Sequence, residues 1–175
     1  SHQEDKMTGH FDDSDFVPLK IAVLTISDTR TEETDRSGKI LKQGAEESGH
    51  QVVEKAIVKD DVYQMRAVFS RWIADPEVHV IVSTGGTGIA GRDSTPEAVE
   101  PLLDKPIEGF GELFRAVSME EIGTSAIQSR AIAGLSNQTL VFCLPGSCRT
   151  GWSKVLQPQL DNRTRPCNFS QMFRA

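Results

Sequence analysis

The segment Val78-His79-Val80-Ile81-Val82-Ser83 runs directly into Thr84-Gly85-Gly86-Thr87-Gly88. This junction limits the folds open to the chain more than any other feature. A short, nearly continuous apolar and β-branched run suits a strand covered on both faces, as in a parallel sheet. The glycines that follow permit positive φ angles and let a ligand come close to the backbone. Successive N–H groups in such a turn can converge on one anion. A simple strand-to-helix connection is the competing reading. No Gly-Lys-Ser/Thr follows, so this is not a Walker loop, and the Gly-x-Gly-x-x-Gly fingerprint is missing.

The rest of the chain repeats the strand-and-helix alternation. Ile21 to Ile26 is another apolar run, Gln51 to Val58 and Thr139 to Leu144 read as strands, and Ala131 to Leu135 as a short extended piece before a turn at Asn137-Gln138. Ser37 is the expected cap of a helix stopped by Gly49. Asp60 or Asp61 is placed to cap a second helix, whose apolar face carries Val62, Met65, Phe69, Trp72 and Ile73 at three- and four-residue steps. Thr95 is the expected cap of a third, with Pro96 at its first position. Further helices are expected from Gly109 to Gly123 and from Pro145-Gly146-Ser147 through Leu160. This order predicts an α/β protein, a three-layer α/β/α sandwich with a mostly parallel central sheet. Such sheets bind ligands beyond the carboxyl ends of their strands. The site is therefore expected in four loops, Ser27 to Arg36, Lys59 to Asp61, Gly85 to Asp93, and Pro145 to Arg149.

The chain is 175 residues long, the size of a single domain. Residues 1–18 are polar and aperiodic and read as a flexible lead-in, leaving 19–175 as the domain. A net charge of −6 gives no basic footprint for nucleic acid. Cys143, Cys148 and Cys167 are odd in number and form no Cys-x-x-Cys pair, which suits reduced thiols and a cytoplasmic protein. No apolar stretch approaches the ~20 residues of a membrane span. The four histidines have no ligand spacing, which argues against zinc, and no Gly-x-Ser-x-Gly elbow is present for acyl transfer.

The continuation of the glycine loop is more specific than the loop. Gly85-Gly86-Thr87-Gly88-Ile89-Ala90-Gly91-Arg92-Asp93-Ser94-Thr95-Pro96-Glu97 resembles the signature of the MoaB/MogA family, the molybdopterin-binding domains that include the G-type domain of gephyrin. Other segments similar to the family stand in order at Thr25 to Asp28, Asp35 to Gly38, Gly109 to Glu112, Ser129-Arg130 and Leu144 to Ser147. The resemblance covers about Lys20 to Phe169. The tail Asn162 to Phe169 and the stretch Glu120 to Ser125 look more like MoaB than MogA.

The resemblance implies a MogA-like fold, molybdopterin as substrate or ligand, ATP as co-substrate with Mg2+, and adenylylation of the pterin phosphate with release of pyrophosphate. It equally allows a catalytically weak pterin-binding protein of the same pathway, because bacterial MoaB members differ in activity. It implies homo-trimers or homo-hexamers. Asp93 and Asp60 correspond to family aspartates expected to hold metal or steer the attacking phosphate, although Lys59 replaces a family proline beside Asp60. Taken as residues alone, Asp93 equally suits a cap or solvated acid near Thr95, and Asp60 a helix cap. Ser27, Asp28, Ser37, Gly38, Gly85, Gly86, Thr87, Gly88, Thr95, Glu97, Ser129, Arg130, Pro145, Gly146 and Ser147 are the expected ligand-binding positions. Several have a plain alternative: an Asx turn for Asp28, capping for Ser37 and Gly38, a surface ion pair for Arg130, and a strand exit for Pro145 to Ser147. A side chain added at Gly86 is expected to enter the anion-binding concavity and leave the fold intact.

Overall fold

The computed structural model describes residues 15–173. It contains strands β1 (Lys20–Ile26), β2 (Gln51–Val58), β3 (Val80–Thr84), β4 (Lys105–Pro106), β5 (Ile132–Ser136) and β6 (Thr139–Leu144). The helices are α1 (Arg36–Glu47), α2 (Val62–Ala74), α3 (Thr95–Val99), α4 (Glu108–Ile122) and α5 (Gln157–Gln159). One six-stranded sheet has the order β2-β1-β3-β6-β5-β4. The pairings β2-β1, β1-β3 and β3-β6 are parallel, whereas β6-β5 and β5-β4 are antiparallel.

Alternation along β1 divides the core into two layers. Ile21 and Val23 face a cluster with Leu41 of α1, Phe110 and Phe114 of α4, and Trp152. Ala22, Leu24 and Ile26 face the other side, against Met65, Phe69 and Trp72 of α2 and Ala98 and Val99 of α3. The sheet is thus covered on both faces, the three-layer sandwich expected from the alternation.

Several local expectations change in detail. Helix α1 is capped by Asp35, not Ser37, because the Asp35 carboxylate accepts the Gly38 N–H at 2.9 Å. Helix α2 is capped by Asp61, which accepts from Tyr63 and Gln64. Thr95 is the first residue of α3 rather than its cap, and its hydroxyl instead donates to the Gly85 carbonyl. The last helix is a π-helical turn, Gly151–Leu156, followed by the three-residue α5; Pro158 has no N–H with which to extend it. The two-residue β4 is too short to leave a periodic signal.

At the amino end, residues 1–14 lie outside the described part. Asp15 to Pro18 run against the C-terminal tail. Asn162 accepts the Val17 N–H at 2.8 Å and donates to the Asp15 carbonyl at 2.8 Å.

Candidate functional site

Strands β1, β2, β3 and β6 end on one side of the domain, and their exit loops meet there. The Gly85–Asp93 loop is the centre. Gly85 and Gly86 have φ of 103° and 72°, values that side-chain-bearing residues rarely adopt. The Gly85 N–H donates to Leu144 at 2.9 Å, so β6 holds the start of the turn. The next three N–H groups, of Gly86, Thr87 and Gly88, donate to no acceptor among the described residues. The carbonyls, by contrast, are held. Gly85 C=O accepts from the Thr95 hydroxyl at 2.9 Å, and Gly86 C=O accepts the Thr95 N–H at 2.9 Å. Thr87 C=O accepts the Arg130 N–H at 2.7 Å, and Gly88 C=O accepts from Arg130 Nε at 2.8 Å. A turn whose acceptors are bound and whose donors are free is a cradle for an anion.

Arg130 therefore stands at the back of the loop. Besides Gly88, its guanidinium reaches the Asp93 carbonyl at 2.7 Å and the Glu97 carboxylate at 2.5 and 3.1 Å. Arg130 and Glu97 are paired with each other and together brace the turn. Thr95, fully buried, does the same. Ser129 contributes a buried hydroxyl without a partner among the described residues. A Cβ at Gly86 would overlap Thr95 Oγ1 and stand 2.9 Å from Asp60 Oδ2. The expectation that a Gly86 side chain fills only the anion concavity is corrected, because it would strike the loop's own brace.

Three carboxylates gather beside this turn. Asp60, nearly buried, accepts the Ser94 N–H at 3.1 Å, which ties the β2 exit to the glycine loop. Burial raises its pKa, the Ser94 bond opposes that, and the charges of Asp93 and Asp28 add to the rise. Asp93 does not cap α3; its Oδ2 accepts the Ala90 N–H at 3.0 Å, closing its own loop. Asp28 makes no Asx turn. Its Oδ1 accepts the Asp60 N–H at 3.1 Å, and Arg92 grips it through Nε at 3.0 Å and Nη2 at 2.6 Å. The Arg92 bond is the main reason its pKa lies below the usual carboxylate value. The local turn is made by Ser27, whose hydroxyl accepts from Thr29 and Arg30.

The helix start at Ser37-Gly38 is different from the expectation. Gly38 gives its N–H to Asp35, so that donor is not open to a phosphate. Asp35 is buried beside Lys55 (2.9 Å) and Thr25 (2.7 Å). Burial alone would raise its pKa, but the bonds from Lys55, Gly38 and Thr25 outweigh that and lower it. Ser37 Oγ donates to the Gly146 carbonyl at 2.6 Å, and Thr84 to the Pro145 carbonyl at 2.8 Å. Pro145 and Gly146 thus fasten the β6 exit to its neighbours, and Ser147 is exposed.

Two pockets open along this edge. One, about 260 Å³, is lined by Thr25, Ile26, Ser27, Arg30, Asp35, Arg36, Ser37, Thr84, Gly85 and Gly146. The other, about 500 Å³, is lined by Val62, Ile89, Ala90, Gly91, Asp93, Ser94, Glu97 and Arg130. The glycine loop borders both. Among the described residues no three His, Cys, Asp or Glu side chains gather as a metal cage, and no helix is long and apolar enough to cross a membrane.

Residues 22–162 match the family model described as a probable molybdopterin binding domain. The chain belongs to that family. It is 55% identical over 159 residues to molybdenum cofactor biosynthesis protein B of Escherichia coli K12, covering 89% of this chain and 94% of the relative. It is 47% identical to the protein of the same name from Staphylococcus carnosus, over 82% of this chain and 88% of that one. A crystal structure of a molybdenum cofactor biosynthesis protein B superposes with a TM-score of 0.83 at 42% identity, covering 91% and 98% of the two chains. The tungsten cofactor synthesizing protein MoaB from Pyrococcus furiosus gives 0.68 at 36% identity, covering 77% and 86%. The fold is thus that of the MoaB/MogA proteins.

Asp35 and Arg92 lie in loops expected to build the site but are not among the residues singled out there, and Lys55 lies outside those loops. Asp35 and Arg92 lie inside motifs of the molybdopterin-binding family, and that was the available signal. Lys55 sits in an ordinary strand and gave none.

Proposed function

We propose that this molybdopterin-binding protein adenylylates the terminal phosphate of molybdopterin with Mg-ATP and releases pyrophosphate. The observation that carries the reading is the shared loop: residues 85–93 border two pockets, and the N–H groups of Gly86, Thr87 and Gly88 have no acceptor among the described residues. One pocket serves the pterin phosphate and the other the nucleotide, with their phosphates meeting at the turn. A pterin phosphate oxygen attacks the α-phosphorus of ATP in line. A new P–O bond forms as the bond to the pyrophosphate leaving group breaks. Such chemistry needs positioning and charge stabilisation rather than a covalent protein group.

The free N–H groups stabilise phosphate oxygens, and Arg130, Glu97 and Thr95 keep the turn in place from behind. Magnesium suits these residues, because it needs one or two carboxylates and takes its remaining oxygens from phosphate and water. Asp60 and Asp93 would hold it, and added positive charge there would offset the burial and the neighbouring Asp93 and Asp28 charges that raise the Asp60 pKa. When bound, the ion neutralises phosphate charge. Incubating the purified protein with molybdopterin, ATP and magnesium tests the reading. Adenylylated molybdopterin and pyrophosphate are expected in equal amounts. Pterin binding without either product would instead support a binding protein of the same pathway.

Family resemblance also supports assembly into trimers or hexamers. The exposed Leu113, Met119, Ile122 and Ile127, on α4 and the turn after it, offer the apolar contact.

A further inference from the structure

Asp28 and Arg92 stand on different loops, each next in sequence to residues that line a pocket, and their side chains meet. Asp28 follows Ser27, on the rim of the smaller pocket. Arg92 lies between Gly91 and Asp93, both on the rim of the larger one. Their two-pronged bond, 3.0 Å at Nε and 2.6 Å at Nη2, forms a bar between the two loops that border the pockets. The Arg92 side chain is 66% exposed and that of Asp28 37%. Exposed ion pairs are weakly held, and the guanidinium fork fits phosphate as well as it fits carboxylate. Asp28 also has a second tie, the Asp60 N–H at 3.1 Å, which keeps it in place when Arg92 departs. Arg130 cannot play the same part, since its donors are committed to Gly88, Asp93 and Glu97.

We propose that Arg92 is an exchangeable anion-binding residue: it pairs with Asp28 while the site is free and transfers to a phosphate group that lies across the two pockets. The exchange rests on the adenylyl-transfer reading for the identity of its ligand, a polyphosphate. It breaks no covalent bond. It trades one charge-assisted pair for another, so the bar opens only for an anion able to replace the carboxylate.

Inorganic pyrophosphate is the probe. The Arg92 Nε–H resonance, assigned by its loss in Arg92→Lys, is followed by NMR during titration, and affinity is measured by calorimetry. The resonance is expected to move as pyrophosphate binds. Arg92→Lys keeps the charge but loses the fork, and is expected to bind pyrophosphate ~10-fold more weakly with an unchanged thermal midpoint. A resonance that stays in place while pyrophosphate binds overturns the exchange, as does equal affinity in Arg92→Lys. A wild-type protein that binds neither pyrophosphate nor ATP removes both the exchange and the adenylyl-transfer reading. Exchange without adenylylated product removes only the latter.

Discussion

The two ends of the parallel strands treat their backbone donors in opposite ways. Where β1 begins, the N–H of Leu19 is accepted by His50 Nδ1 at 3.0 Å and that of Lys20 by His79 Nδ1 at 2.9 Å. Where β3 ends, the N–H groups of Gly86 to Gly88 meet no acceptor among the described residues. Buried donors without partners cost stability, and the chain spends two histidine rings on closing the first end. It leaves the second end open while fixing every carbonyl from Gly85 to Gly88. Donors left free within an otherwise rigid turn are preorganised for an anionic ligand.

The largest effect is expected at the open end. Gly86→Val places a β-branched side chain at φ 72° and against Thr95 Oγ1 and Asp60. It should lower stability by about 3 kcal/mol, seen as a lower urea midpoint with an unchanged slope. A variant as stable as wild type would show that the turn is not braced as described.

Asp93→Ala comes next. Turnover in the adenylyl-transfer assay should fall ~100-fold, with pterin affinity little changed. Lost pterin affinity at undiminished turnover would move Asp93 from the chemistry to ligand binding.

The closed end predicts a pH dependence. Burial lowers the His50 pKa from 6.5 to about 4, so the folded protein binds fewer protons than the unfolded chain between those values. Stability is complete above pH 6.5 and falls as pH drops towards 4. At pH 5.5 the loss from this group is about 1 kcal/mol. His50→Asn should flatten the pH profile of the thermal midpoint between 6.5 and 5; an equally steep profile would assign the effect to other groups.

Asp61→Ala should have the smallest effect. It removes the cap of α2 at an exposed position and should cost between about 0.5 and 1 kcal/mol, with turnover per folded molecule intact. Lost turnover in a stable Asp61→Ala protein would bring Asp61 into the site beside Asp60.

The sequence pattern revealed the sheet and its layers because burial on two faces leaves an unmistakable trace: Ile21 to Ile26 has no polar side except Thr25, and Met65, Phe69 and Trp72 keep helical spacing. The turn at Asn137 and Gln138, with φ of 48° and 72°, was also legible between two apolar runs, but the antiparallel pairing of β5 with β6 was not. The glycine loop was found, but the direction of its neighbours was not. Whether Arg130 reaches a ligand or the back of Gly88 depends on contacts between residues 42 positions apart, which no local pattern encodes. The same is true of Asp28 and Arg92, 64 positions apart. Asp35 was missed as a cap because Ser37, two residues later, is an equally good capping residue by type.

The sheet ends on β4, only Lys105 and Pro106 long. Proline has no N–H to offer, and a lysine beside it carries charge to the margin. On the opposite margin, β2 carries Glu54, paired with Arg71, and Lys55, paired with Asp35. Neither border is a smooth template on which the backbone of another copy can dock as an extra strand. Both borders therefore guard the chain against strand-by-strand, fibril-like stacking and leave the strand ends around the glycine turn as the open part of the sheet.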